Sequence, residues 1–213
     1  MRKSDIEEIY LKNMRDVKRR LRYSEEQIHE FNNTQEYLFL ENAILHTRKA
    51  LECIAYASIA PNKKAYSKFR SAAKTAADFR KDYHGAKILK QLGMVNKEFY
   101  PIPLIEPKAV GARQWHFDRL KGSYLTKNQY IKLYDRLGKF LHSDNPWDND
   151  KGYLNLAKDM PEGFERIRAL LQIHATFVQE KERRLSFVVD MGSEEKDVLV
   201  LTAVADGPFK VGI

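Results

Sequence analysis

The sequence predicts a mainly α protein, a helical bundle that ends in a small β-hairpin. Three observations predict it. Apolar residues recur at three- and four-residue steps through the N-terminal part of the chain, and again along Tyr130–Leu141 and Phe164–Val178. Two β-branched runs lie close together near the C-terminus, parted by Gly192-Ser193-Glu194-Glu195. Of the 213 residues, 43% are apolar and 11% aromatic, which is too apolar for a disordered chain and enough for a core.

The first helix is read from Ile6, Ile9, Tyr10, Met14, Val17, Leu21, Ile28 and Phe31. Between them Arg15, Lys18, Arg19, Arg20 and Arg22 crowd the outer face, either as a solvated surface or as a phosphate-contacting edge. Asn32-Asn33-Thr34 supplies a break and an N-cap for a second helix, which runs to about Ala60. From Ala43 onward that helix is apolar nearly all round, as a central helix is. Glu41, Arg48 and Glu52 share one stripe of it, and Arg48 and Glu52, four apart, are spaced to pair. Residues 62–92 are basic and alanine-rich and fit one or two helices, with a joint near Gly85 and a stop at Gly93. Pro101, Pro103, Pro107 and Gly111 exclude regular structure from much of 96–114, which reads as a strap over the core. Trp115-His116-Phe117 begins a short extended piece. Thr126-Lys127-Asn128-Gln129 is a capping box that opens a helix to about His142, closed by Asp144-Asn145-Pro146. Pro161 starts a last helix that reaches about Glu182. The hairpin pairs Leu185–Val189 with Asp197–Val204. The organisation is then a helical bundle over 1–182, with the proline strap at about 96–114, and a hairpin appendage over 183–213.

Lys and Arg number 37 against 29 Asp and Glu, a net charge of +8, so an anionic partner is favoured, nucleic acid first. The chain has one cysteine, Cys53, which excludes an intramolecular disulfide and a thiolate zinc site. Its apolar helix makes it a packing residue. No apolar stretch approaches the ~20 residues that span a bilayer, so a soluble, cytoplasmic protein without membrane contact is expected. There is no P-loop, G-x-G-x-x-G, G-x-S-x-G or H-E-x-x-H, and the histidines lack metal-ligand spacing, so no cofactor and no metal is expected. His174, among apolar residues, reads as a hydrogen-bonded core histidine. His116 with Asp118, near Arg113 and Arg119, follows the strap and is a minor candidate for the border of a site.

The helix after Thr126 is the segment with chemistry. Tyr130, Leu133, Tyr134, Leu137, Phe140 and Leu141 form its apolar stripe, and Lys132, Asp135, Arg136, Lys139, His142 and Ser143 occupy the other face. A histidine in the last turn beside Arg and Lys is a workable acid or base near neutral pH, and is equally what an idle surface histidine looks like. The segment Tyr134-Asp135-Arg136-Leu137-Gly138-Lys139-Phe140-Leu141-His142 resembles the signature of the HEPN (higher eukaryotes and prokaryotes nucleotide-binding) superfamily. That signature is an Arg, four to six residues, then a His, on a helix late in a bundle. Five residues separate Arg136 from His142.

The resemblance implies a helical bundle, often dimeric, and in many members a metal-independent endoribonuclease. It implies Arg136 and His142 as the catalytic pair: His142 as acid or base on the ribose 2′-hydroxyl or leaving oxygen, Arg136 on the phosphate. Asp135, Lys139 and Ser143 are supporting candidates, and Lys132, Arg15, Arg19, Lys64 and Lys68 would track an RNA backbone. Six positions on a straight helix put the pair about 120° and about 9 Å apart, so two antiparallel copies would close one site and a homodimer is expected. The resemblance also suggests bacterial antiviral defence, or a toxin–antitoxin system with an antitoxin partner. Leu137 stands where many active members carry a polar residue. Three readings stay open on the residues alone: an endoribonuclease, a non-catalytic nucleotide or RNA binder, and a helical protein-interaction domain.

Overall fold

The computed structural model describes residues 3–73, 78–112, 114–143, 147, 152–179 and 184–204. It is mainly helical, with a small antiparallel sheet built largely from the C-terminal part of the chain. α1 (Lys3–Thr34) and α2 (Tyr37–Ile59) form a long antiparallel pair. The core stripe of α1 is Tyr10, Met14, Val17, Leu21, Ile28 and Phe31, all buried. Ser24 fills the gap in that stripe and returns its hydroxyl to the Arg20 carbonyl at 2.8 Å, so a buried polar atom is satisfied within the helix. α2 is the central element, with Leu40, Ile44, Leu51 and Ile54 fully buried.

The turn between them departs from expectation. Thr34 ends α1 rather than capping α2; Gln35 turns the chain at φ +60°, its N–H bonded to the Phe31 carbonyl, and Glu36 precedes α2. A left-handed residue after a helix is the usual way to close its last carbonyls.

Two helices follow, α3 (Lys63–Ser71) and α4 (Gly85–Val95). Gly85 opens α4, while Gly93 lies inside it and stops nothing. The buried Arg70 of α3 is answered by both carboxylate oxygens of Asp82, at 2.8 and 2.9 Å, which is what a buried charge requires.

The proline-rich stretch is more ordered than its composition suggests. It contains β1 (Ile102–Pro103), β2 (Lys108–Gly111) and β3 (Gln114–His116), the last two forming a separate exposed hairpin. α5 (Lys127–Phe140) opens on the capping box expected for it, with both reciprocal bonds of Thr126 and Gln129 present. α6 (Tyr153–Leu171) starts before Pro161, which lies inside the helix and does not begin it.

The largest correction follows α6. The apolar run after Leu171 continues as strand β4 (Ile173–Gln179), not as helix to about Glu182. β4 joins β5 (Arg184–Asp190) and β6 (Leu199–Val204), the expected hairpin, in a four-stranded sheet of order β1-β4-β5-β6. One sheet face, with Phe187, Val189 and Val200, enters the bundle core. On the other face Ala175 and Val188 pack with Leu104 of the 96–114 stretch.

His174 lies at the start of β4 with 0% exposure. Its Nδ1–H donates to the Leu171 carbonyl and its Nε2 accepts from the Tyr10 hydroxyl, both at 2.8 Å. Burial pushes its pKa down to about 4. It is the hydrogen-bonded core histidine expected. Cys53 is also a buried packing residue, its thiol pushed up to about 11 by burial. Among the described residues no helix is long and apolar enough to cross a membrane.

Candidate functional site

α5 is fixed in the bundle by two stacked tyrosines. Tyr130 and Tyr134, four apart on its inner face, lie parallel with centroids 6.2 Å apart. The Tyr130 hydroxyl donates to the Leu51 carbonyl at 2.5 Å and the Tyr134 hydroxyl to Glu52 Oε1 at 2.9 Å. Burial and the Glu52 carboxylate raise the Tyr134 pKa to about 12. Arg48 completes the set. Its guanidinium lies 3.8 Å above the Tyr134 ring, donates to the Tyr134 carbonyl at 2.7 Å and approaches Glu52 at 3.7 Å. The Arg48–Glu52 couple is therefore the expected pair with an added task, tying α2 to α5. Glu41, on the same sequence stripe, is exposed.

Gly138 now has a physical reason. A Cβ there would stand 2.4 Å from Arg48 Nη1, so only glycine admits the guanidinium against the helix. Leu137 is fully buried, in keeping with its place on the apolar stripe.

Beyond Gly138 the helix reaches the surface. α5 ends at Phe140, so His142 lies two residues past it and not in its last turn. The straight-helix geometry assumed between Arg136 and His142 does not extend to His142. His142 and Ser143 are exposed, as are Asp135 and Lys139. Asp144-Asn145-Pro146, the expected terminator, lies outside the described residues. Arg136 Nη1 is engaged at 2.7 Å by Asp159 of α6, a partner that sequence spacing could not show.

This end of the bundle has an apolar border. Phe31, Tyr37, Tyr153 and Phe140 touch in series, at centroid separations of 5.7, 5.5 and 5.0 Å, and join the ends of α1 and α5 to the starts of α2 and α6. Tyr37 of this series is exposed, as are its chain neighbour Leu38 and the residues next to Phe140 and Tyr153, Leu141 and Leu154.

The other candidates lie elsewhere. Lys132 is exposed on α5, and Lys64 and Lys68 on α3. Arg15 pairs with Asp197 and Arg19 with Asp16, beside the far end of α6. The structure thus brings Arg136, Lys139, His142 and Ser143 to one end of α5 and leaves Arg15 and Arg19 apart from it. His116 Nε2 meets Asp118 at 3.1 Å on the exposed hairpin side. Among the described residues no group of three or more His, Cys, Asp or Glu side chains is arranged to hold a metal. Compared with family models, curated proteins and solved structures, the chain matches none.

Proposed function

We propose that the chain is a HEPN-like protein that acts on RNA as a homodimer and cleaves it without a metal ion. The observation that supports this reading is the end of α5, where Arg136 and His142 meet solvent beside a border of exposed apolar side chains. Such a border is the usual mark of a protein interface. Closed about a twofold axis, it brings the same end of a second copy opposite the first.

In this reading His142 of one copy takes the proton of a ribose 2′-hydroxyl. The 2′-oxygen attacks phosphorus, the P–O5′ bond breaks, and the second copy's His142 gives a proton to the leaving 5′-oxygen. The products are a 2′,3′-cyclic phosphate and a 5′-hydroxyl, with no net redox change. Arg136 offsets the charge that builds on the phosphate oxygens. Asp159 orients the Arg136 guanidinium and also competes with that phosphate.

The competition favours a second reading, an RNA binder that does not cut. Incubation with RNA in EDTA separates the two. Under the first reading wild type cleaves and His142→Ala loses at least a hundredfold in rate; cleavage undiminished in that variant removes His142 from the mechanism. Under the second neither protein cleaves, and binding weakens steeply with salt. Sedimentation tests the dimer, which Leu38→Glu and Leu154→Glu together should convert to monomer. A role in antiviral defence or a toxin–antitoxin pair, with an antitoxin partner, is carried by the sequence resemblance alone.

A further inference from the structure

At the C-terminal end of α6 the structure holds a cleft of about 460 Å³, within the size range of small-molecule sites. α1 forms one wall, the last turns of α6 the second, and the β5–β6 connection the third. The floor is apolar: Leu21, Leu171, Met191 and Val198 are all buried. The rim is basic. Arg15, Arg19 and Arg22 follow one stripe of α1, and Arg168 lines the α6 side. With Lys18 and Lys196, six cationic residues line the cleft against three acidic ones, Glu194, Glu195 and Asp197. Arg168 also offsets the negative end of the α6 dipole.

The third wall is held in place. Lys18 Nζ donates to the carbonyls of Met191, Ser193 and Lys196 at 2.8, 2.6 and 2.5 Å, which uses all three of its donors on one loop. Arg15 latches Asp197. Asp190 accepts the N–H of Gly192, whose φ of +65° turns the chain. Lys18 and Arg15 thus build the cleft. Arg19, Arg22 and Arg168 are differently placed: their carboxylate partners, Asp16, Glu26 and Glu25, do not line it. The Arg19 and Arg22 side chains are 69% and 58% exposed, so those ion pairs hold weakly, and a guanidinium has five N–H donors to share.

We infer that this cleft binds a nucleoside phosphate, with the base on the apolar floor and the phosphate among Arg19, Arg22 and Arg168. Glu194 and Glu195 offer acceptors for the ribose hydroxyls. A bare anion would leave the floor unused, and an apolar ligand would leave the rim unused. A free nucleotide and the terminal nucleotide of an RNA present the same chemistry. Arg168 is nine residues along α6 from Asp159, about 14 Å, so the cleft does not depend on the α5 motif.

Calorimetric titration of the full chain tests this, with AMP, inorganic phosphate, and a 5′-phosphorylated and a 5′-hydroxyl RNA oligonucleotide as probes. The expected result is binding of AMP, or of the 5′-phosphorylated but not the 5′-hydroxyl RNA, at least tenfold tighter than inorganic phosphate. AMP binding assigns a free nucleotide; binding of the 5′-phosphorylated RNA alone assigns an RNA terminus. Arg19→Ala/Arg22→Ala should lose at least tenfold in affinity with an unchanged melting temperature, because Asp16 keeps Arg20. Arg168→Ala, on the opposite wall, should lose as much. No binding of AMP or of the 5′-phosphorylated RNA at millimolar concentration, or affinity unaltered in both variants, overturns the proposal. RNA cleavage is a separate readout: its absence leaves the cleft standing, and an empty cleft leaves the α5 proposal standing.

Discussion

The Tyr130–Gly138 stretch of α5 and the Lys139–Ser143 stretch after it are continuous in the chain and opposite in character. In the first, the inner face is answered throughout: Tyr130 by Leu51, Tyr134 by Glu52 and Arg48, and Gly138 by the guanidinium that occupies the place of its missing Cβ, while Arg136 on the outer face reaches Asp159 of α6. In the second, Lys139, Leu141, His142 and Ser143 face solvent. One helix thus does two jobs. Its inner half sets where the helix ends, and its end presents the polar groups. A pair such as Arg136 and His142 gains precision from anchors that never touch a ligand.

The sharpest way to break that contrast is Tyr134→Ala. It removes a fully buried ring and should destabilise the fold by about 3–5 kcal/mol in urea unfolding. His142→Ala should change stability by less than about 0.5 kcal/mol, as exposed positions do. Equal losses in the two variants would dissolve the distinction.

A second histidine sharpens it by pH. His174 is held neutral, with a folded pKa of about 4 against an ordinary 6.5. Below pH 6.5 the unfolded chain takes up a proton that the folded chain refuses, so stability falls as pH drops from about 6.5 to 4. The loss over that window should be about 3 kcal/mol, and His174→Gln should flatten it. A stability profile with no slope there would show that the Tyr10–His174–Leu171 chain does not survive in solution.

Gly138→Ala has a smaller effect with a diagnostic sign. Alanine favours a helix over glycine by about 1 kcal/mol, but here its methyl displaces Arg48 from Tyr134. A charge-assisted hydrogen bond and the ring contact outweigh the propensity, so the net loss should be about 1 kcal/mol. In an Arg48→Ala background the same substitution should become stabilising. Asp159→Asn comes last: stability within about 0.5 kcal/mol, and RNA affinity raised as Arg136 is released from its carboxylate.

Much of the fold was legible where local chemistry decides it. The α1 stripe, the Thr126–Gln129 capping box, the buried α2 and the C-terminal hairpin follow from period and cap alone. The strand after Leu171 was not. Ile173, His174, Phe177 and Val178 suit a helical stripe as well as a strand, and what decides is pairing with β5 and β1, remote in sequence. Pro161 suits a first turn, but α6 opens eight residues earlier at Tyr153 and carries it at an exposed position inside the helix. At the site, the sequence named the side chains but not their neighbours. The Arg136–Asp159 pair joins two helices, and the Arg48–Gly138 contact spans 90 positions of chain, so neither leaves a local pattern.

The Lys18 and Arg15 ties also have a meaning in time. They bind the first helix to a loop 173 to 182 residues further along. During synthesis α1 emerges long before Ser193 or Asp197 exists, and at ribosomal rates of roughly 5–20 residues per second it waits on the order of ten seconds or more for them. Over that interval α1 and α2 can pair locally, while the last wall of the cleft has yet to be made. The α1 side of the cleft therefore waits for the β5–β6 connection, and shortening that connection would be felt by α1, which Lys18 and Arg15 tie to it.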